Sequence, residues 1–308
     1  TTLAQCQRLS KGSGGRLLFQ MANFPTRAFI QTFDELPLEF ARLAEELRSR
    51  GVEVVTLTTE QALAMKPAWP LFTENDLVVG DFDWTRMALK QIGIPMPEPP
   101  DYPKCLQHLL HRKIWQTTLG DAQKEVEVLE TEAAASGKPK NIFIKPASDT
   151  KAFSAIIEPK EQMLSSLLAG IPGVWEPHPP SLPVHCAEVV NMISEYRVYV
   201  VHGKVRSICH YGNGPEDGDG ALDRSVVEAA VRILAESEEG RDSVSAGCGV
   251  DFAVLRKPRE GDDAEGECVT CLVEVNDGYS LGVYDGLSAK DHADLLIGRW
   301  AQLLKSRK

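Results

Sequence analysis

The sequence predicts an α/β (α+β) fold of mixed helix and sheet, and three observations predict it. The first third alternates strand-like and helix-like segments. Residues 187–210 alternate charged and apolar side chains and turn at His202-Gly203, the pattern of an antiparallel hairpin. Two apolar strands near the end carry acids, Asp251 within 249–255 and Glu274 within 272–276. With 308 residues, 43% of them hydrophobic, the chain can bury a full core in one to three domains. A net charge of −11 argues against a nucleic-acid surface. No run of about 18 apolar residues is present, so no membrane helix is expected. Residues 1–15 lack an apolar signal core and read as a flexible leader. The seven scattered cysteines fit a reducing compartment, so a cytoplasmic protein is expected, with a homodimer as the base-rate assembly.

In chain order, 16–20 reads as a short strand. Residues 38–50 have helical spacing at Phe40, Leu43 and Leu47, with Gly51 at the stop, and 52–57 is a strand. This is a βαβ unit on a parallel sheet, without the GxGxxG of a dinucleotide site. A strand at 76–80 and a helix at 84–91 follow. Five prolines across 93–103 mark a linker and a domain boundary. Residues 106–119 read as a helix carrying His108, His111, Arg112 and Lys113. The two histidines lack a nearby carboxylate or cysteine partner and read as surface residues, and Lys113 as a solvated lysine.

The chemistry-bearing residues come next. A strand at 141–145 ends in Lys145, Pro146 stops it, and Lys151 closes a polar loop. Two such lysines can clamp a polyphosphate, or can simply be surface lysines of a hairpin. Residues 158–186 read as a surface segment. Glu195, Arg197 and Tyr199 share one strand face, where Glu195 and Arg197 can pair. The acidic, glycine-rich 212–220 lacks the ligand ladder of a calcium loop and reads as a flexible loop or lid. A helix at 225–235 and a charged hairpin tip at 259–267 follow. Cys268 and Cys271 face opposite ways on a strand and are not read as zinc ligands. A helix at 288–305 closes the chain, with Ala293, Leu296, Ile297 and Trp300 on one stripe. On 272–276, alternation puts Glu274 and Asn276 on one face and Val273 and Val275 on the other. If 249–255 pairs with it, Asp251 joins them in a hard-oxygen set suited to Mg2+.

The order Lys113, Lys145, Lys151, Glu188-x-Val190, Glu195, Asp251, Glu274-x-Asn276 resembles the ATP-grasp superfamily. The segments FIKP, EYRVYVVHGKV and VEVNDGYSLGVYDGL are most similar to its clade named for an arginine and two lysines. The resemblance covers about 105–306. It implies a Rossmann-like pre-ATP-grasp domain at 16–103 and an ATP-grasp fold at 104–308. The latter divides into a lysine and hinge part (about 104–192) and a metal-binding part (about 193–308), with ATP between two sheets.

The resemblance implies roles. Lys113, Lys145 and Lys151 contact ATP phosphates; Glu188 and Val190 read adenine; Glu195 binds ribose. Asp251, Glu274 and Asn276 hold Mg2+, with Mn2+ as an alternative. Arg197 and Lys151 are the catalytic cations on the transferring phosphoryl group. Two departures stand out: the 145–151 loop lacks glycine, and the insert between Asp251 and Glu274 is long. The implied activity is an ATP-dependent carboxylate–amine ligase acting through an acyl phosphate and releasing ADP and phosphate. Its substrates would be small molecules, amino acids or peptides, held by the first domain, the 212–220 loop and the turn with Tyr279 and Ser280. A kinase phosphorylating a hydroxyl and a non-catalytic nucleotide-binding partner protein are the alternatives.

Overall fold

The computed structural model describes residues 24–65, 71–137, 140–147, 152–172, 176–212, 214–243, 246–257 and 266–305. The expected strand at 16–20, the 1–15 leader, Lys151 and nearly all of the 259–267 tip lie outside them. The fold is α+β, and the described residues form three sheets.

The first sheet is parallel. It is built from β1 (Arg27–Gln31), α1 (Leu38–Ser49), β2 (Glu53–Leu57), α2 (Thr59–Ala64), β3 (Asp76–Val79) and α3 (Phe82–Ile92), with strand order β2-β1-β3. The first strand of the βαβ unit is thus Arg27–Gln31, which the sequence reading passed over. Ala28, Phe29 and Ile30 are almost fully buried there. They form a short apolar run whose length alone does not separate strand from helix. Helix α3 starts where Asp81 accepts a hydrogen bond from the Trp84 amide and ends at Gly93 in the left-handed region.

The second sheet is antiparallel. Its strands are β4 (Ile114–Thr118), β5 (Ile142–Pro146), β6 (Ile156–Glu158) and β7 (Pro183–Glu188), in the order β4-β7-β5-β6. This corrects two expectations. Residues 106–119 are not one helix: a 3-10 helix spans Lys104–Leu109, and Ile114–Thr118 is a strand. The β-branched and aromatic Ile114, Trp115, Thr117 and Thr118 fit a pleated surface, and pairing with β7 overrides the helical reading. The long helix comes later, as α4 (Leu119–Ser136), capped by Thr118. Nor is 158–186 all surface. After α5 (Leu164–Ala169), Pro183 opens a strand that runs through the middle of the sheet, with Val184 and Cys186 fully buried. Proline is tolerated at a strand's first residue.

The third sheet is also antiparallel. It contains β8 (Met192–Val201), β9 (Lys204–Tyr211), β10 (Gly247–Arg256) and β11 (Cys268–Asp277), in the order β11-β10-β8-β9. His202 and Gly203 both take positive φ, as a two-residue hairpin turn of right-handed strands requires. Helices α6 (Arg224–Glu236) and α7 (Glu238–Ser243) follow β9. Val227, Ala230, Val231 and Leu234 of α6 pack on Val198, Val200, Val250 and Phe252.

Helix α8 (Ala289–Lys305) ties the first and third sheets together. Ala293, Leu296 and Trp300 join the core of the first sheet. The buried Arg299 makes a two-pronged pair with Asp277 at the end of β11, whose side chain is 8% exposed. The helix is therefore buried beyond the one stripe expected.

His292 of α8 is buried, and burial alone lowers its pKa to about 4. The unfolded imidazole takes up a proton near pH 6.5, whereas the folded one resists until about pH 4. This contribution is therefore fully present above pH 6.5 and is lost as pH falls toward 4, by up to about 3 kcal/mol. Urea unfolding at about pH 7 and about pH 4.5 should show that loss, and His292→Gln should flatten it.

Candidate active site

The site is built on the strand pair β10–β11. Asp251 lies directly opposite Glu274, and Asn276 follows opposite Gly249. Between Asp251 and Phe252 the register shifts, so Leu272 rather than Val273 faces Phe252. This bulge changes the expected facing of one residue. Val275 points away with Leu272, but Val273 packs with Ala253 and Cys271. A β-bulge puts two residues against one and re-aims a side chain, which strict alternation cannot anticipate.

Each acid has found a cation. Arg197, on the neighbouring β8, donates through Nε to Asp251 Oδ1 (2.8 Å) and through Nη2 to Oδ2 (2.7 Å). Asn276 Nδ2 donates to the same Oδ2 (3.0 Å). Lys145 comes from the second sheet, and its Nζ donates to Glu274 Oε2 (2.6 Å) and to Asp101 Oδ1 (2.7 Å). Burial opposes the charge on Lys145, but Glu274 and Asp101 outweigh it and hold its pKa above the ordinary value. Burial likewise opposes the charge on Arg197, and Asp251 more than offsets it. Asp251 is raised by burial, with Arg197 working against this and Glu274 and Glu195 adding to it.

Arg197 is also held from its face. Its guanidinium sits 5.0 Å from the Tyr284 ring and 6.0 Å from Tyr211, and those two rings stack on each other. Tyr199 fixes the segment that carries Tyr284: its hydroxyl donates to Gly282 O (2.9 Å) and accepts from the Tyr284 amide (2.8 Å). Tyr211 donates to Glu195 (3.2 Å).

Lys145, Arg197, Glu274 and Asn276 line one cavity of about 530 Å3 between the second and third sheets. Phe82, Tyr279 and Ser280 close it on the side of the first sheet. Lys113, Glu188, Val190 and Glu195 do not line it. Lys113 and Glu188 meet each other instead. The Glu188 carboxylate accepts the Lys113 amide (2.9 Å), the Glu188 amide donates to Lys113 O (3.0 Å), and the Lys113 ammonium lies 5.0 Å from the Trp115 ring. Val190 packs with Met192 and Val273 against Ala253 and Cys271, an apolar floor next to Glu274. The described residues of 212–220 do not line the cavity either. The Ser194 and Tyr196 hydroxyls both donate to Gly220 O (2.7 Å each), so the far end of this segment is pinned to β8.

The sequence reading missed Asp101. It sits in the proline-rich linker at φ 35°, a conformation aspartate tolerates better than most residues. Its carbonyl accepts the Val275 amide (2.7 Å), which bridges linker and β11. Its carboxylate takes Lys145 and His185 (3.2 Å). Burial raises its pKa, but the His185 hydrogen bond and Lys145 overcome this and lower it. The only signal in the sequence was an acid set between prolines.

Asp251, Glu274 and the Asn276 amide oxygen form a donor set that fits Mg2+ or Mn2+. Among the described residues no group of three or more His, Cys, Asp and Glu is placed to hold a metal, so a metal here would take Asn276 as its third donor. Burial raises Asp251, repulsion from Glu274 and Glu195 adds to it, and a divalent cation would relieve that repulsion. Arg197, Asn276 and Lys145 now occupy these oxygens and would have to share or exchange them.

Residues 109–295 match the family model of the ATP-grasp domain, family 2 of the clade named for an arginine and two lysines. The chain belongs to this family. Comparison with curated proteins gives no match. Among solved structures this ATP-grasp chain resembles D-cycloserine synthetase DcsG, with a TM-score of 0.51 and 15% identity over 92% of this chain and 99% of that one. It also resembles D-alanine--D-alanine ligase from Bacillus anthracis, with a TM-score of 0.50 and 12% identity over 92% and 100% of the two chains. At these identities the ATP-grasp chain shares their fold. No helix among its described residues is long and apolar enough to cross a membrane.

Arg197→Ala would leave Asp251 buried beside Glu274 without its cation. Urea unfolding should show a loss of about 3–5 kcal/mol. Adding Asp251→Asn should recover much of it, since the cost lies in the abandoned charge.

Proposed function

We propose that the protein is an ATP-dependent carboxylate–amine ligase that forms an acyl phosphate and releases ADP and phosphate. The observation that carries this reading is the meeting of Lys145, Arg197, Glu274 and Asn276 around one cavity, with Asp251 behind Arg197, in a chain of the ATP-grasp family. On this reading the 93–103 linker divides a 16–103 unit from a 104–308 ATP-grasp unit.

A carboxylate resists attack by an amine because its leaving group is poor. Phosphorylation converts it into a mixed anhydride: a carboxylate oxygen bonds to the γ-phosphorus and ADP leaves. The amine nitrogen, in its neutral form, then bonds to the acyl carbon, the acyl–oxygen bond to phosphate breaks, and the proton lost from nitrogen goes to the departing phosphate or to solvent. Both steps concentrate negative charge, so positioning and fixed cations supply most of the help. Lys145 would hold ATP phosphate oxygens, with Lys113 and Lys151 as further phosphate contacts. Arg197, fixed in plane by Asp251, Tyr211 and Tyr284, would face the transferring phosphoryl group. The apolar floor of Val190, Met192 and Val273 would lie under adenine, with Glu188 at its edge and Glu195 on ribose. Asp251, Glu274 and Asn276 would hold Mg2+, which when bound supplies charge neutralisation between phosphates. To engage the nucleotide, Lys145 must trade its bond to Asp101 for one to phosphate.

Two measurements test the reading. ADP release from ATP and Mg2+, with pooled amino acids and short peptides, should need both a carboxylate and an amine. Lys145→Ala and Glu274→Ala should each lower it by roughly 100-fold or more. An intact protein that turns over ATP with a lone alcohol, or binds no ATP in millimolar Mg2+, would sink the proposal. Separately, Asp101→Asn removes a competitor for Lys145. Calorimetric ATP affinity should rise by roughly threefold to tenfold, whereas a fall would show that Asp101 assists the nucleotide instead.

A further inference from the structure

Beside the first cavity lies a second, of about 210 Å3, at the carboxyl ends of β1 and β3. The strand order β2-β1-β3 places this crevice where the chain crosses from one side of β1 to the other, the usual ligand position on a parallel sheet. The two cavities share Tyr279, Ser280, Leu281 and Gly282. We infer that this second cavity binds the attacking substrate, and that this substrate is an apolar primary amine without a free carboxylate. The inference rests on the ligase reading for the substrate's role, but not for its chemistry.

The chemistry is read from the walls. Phe40, Val79, Leu281 and Leu296 present hydrocarbon. The acids Asp81 and Glu39 line the cavity, and among the described lining residues there is no lysine or arginine. His292, also in the wall, is kept neutral at about pH 7 by burial. The first cavity differs in carrying Lys145 and Arg197, each beside its carboxylate partner, together with Asp101, Glu274 and Asp277. With acids and hydrocarbon in its wall, the second cavity favours a cationic ligand with an apolar body.

The anion at the shared end is fixed in place. Gln31, 2% exposed, accepts the Asp81 amide through Oε1 (2.6 Å) and donates through Nε2 to Asp81 Oδ2 (2.9 Å). Asp81 Oδ1 takes the Trp84 amide (2.8 Å). Gly80 permits this approach, since a Cβ there would strike the Gln31 side chain. Ser280 Oγ donates to Gly80 O (2.8 Å), which fastens the shared turn to the strand end. The Asp81 carboxylate, exposed at the rim of the cavity and fixed by the buried Gln31 and Trp84, is placed to recognise an ammonium group whose hydrocarbon body lies against the apolar wall. A free amino acid would bring a carboxylate against Asp81 and Glu39, with no lysine or arginine among the described lining residues to receive it.

The test is calorimetric titration of the full chain with L-leucinamide and with L-leucine. Leucinamide should bind at least about tenfold more tightly. Asp81→Asn keeps a side chain able to cap α3 and should remove most of that preference. Glu39→Gln, on a different helix, should lower it without touching the cap. Equal or tighter binding of leucine, no binding of leucinamide, or a preference unchanged in both variants would overturn the inference. The ligase reading is scored separately by ADP release with a carboxylate present. Leucinamide bound without release sinks that reading and leaves the cavity's chemistry standing. Release with leucine preferred does the reverse.

Discussion

Three carboxylates of the third sheet, Asp251 and Asp277 with little side-chain exposure and Glu274 with more, are each met by a cation from a different element. Asp251 takes Arg197 from the adjacent strand, Glu274 takes Lys145 from the second sheet, and Asp277 takes Arg299 from α8. A buried acid that loses its partner costs far more than the pair contributes. These contacts therefore act less as extra stability than as a condition on assembly. The second sheet, the third sheet and the closing helix must dock in one arrangement for all three acids to be satisfied. The cavity is the space left between the elements so held.

The same requirement explains why the site is poised for anions. Lys145 and Arg197 are already paired with internal carboxylates, so on the ligase reading a polyphosphate would enter by exchange with groups of like charge, without exposing a bare cation to an apolar wall. Tyr211 and Tyr284 confine the Arg197 guanidinium, and Tyr199 anchors the segment on which Tyr284 rides. Gly278 permits the sharp exit of β11, since a Cβ there would strike the Gly247 carbonyl. That exit delivers Tyr279 and Ser280 to the junction of both cavities, where the ring of Tyr279 meets Phe82 of the first sheet.

The third sheet was the most legible part of the chain. The first part of β8 alternates, the tight turn carries His202-Gly203, and the partnership of Asp251 with Glu274 follows from antiparallel pairing. Lys145, Arg197, Asp251, Glu274 and Asn276 were all named from strand patterns, and the fold brings them together. What failed to show depends on distant partners. Residues 114–118 become a strand only through β7, and Val273 turns toward Ala253 and Cys271 only through a bulge. Asp101 joins the site because the linker folds back onto β11, which no local pattern records. Glu188 and Lys113 hold each other through backbone and carboxylate rather than lining the cavity, a pairing that only the β4–β7 register creates.

The most direct measurement is a crystal structure of the chain with a non-hydrolysable ATP analogue and Mn2+. The account predicts anomalous density for manganese among Asp251, Glu274 and Asn276, with Lys145 moved from Asp101 to a phosphate oxygen. A nucleotide bound outside the cleft between the second and third sheets, or phosphates in it with Lys145 still held by Asp101, would contradict it.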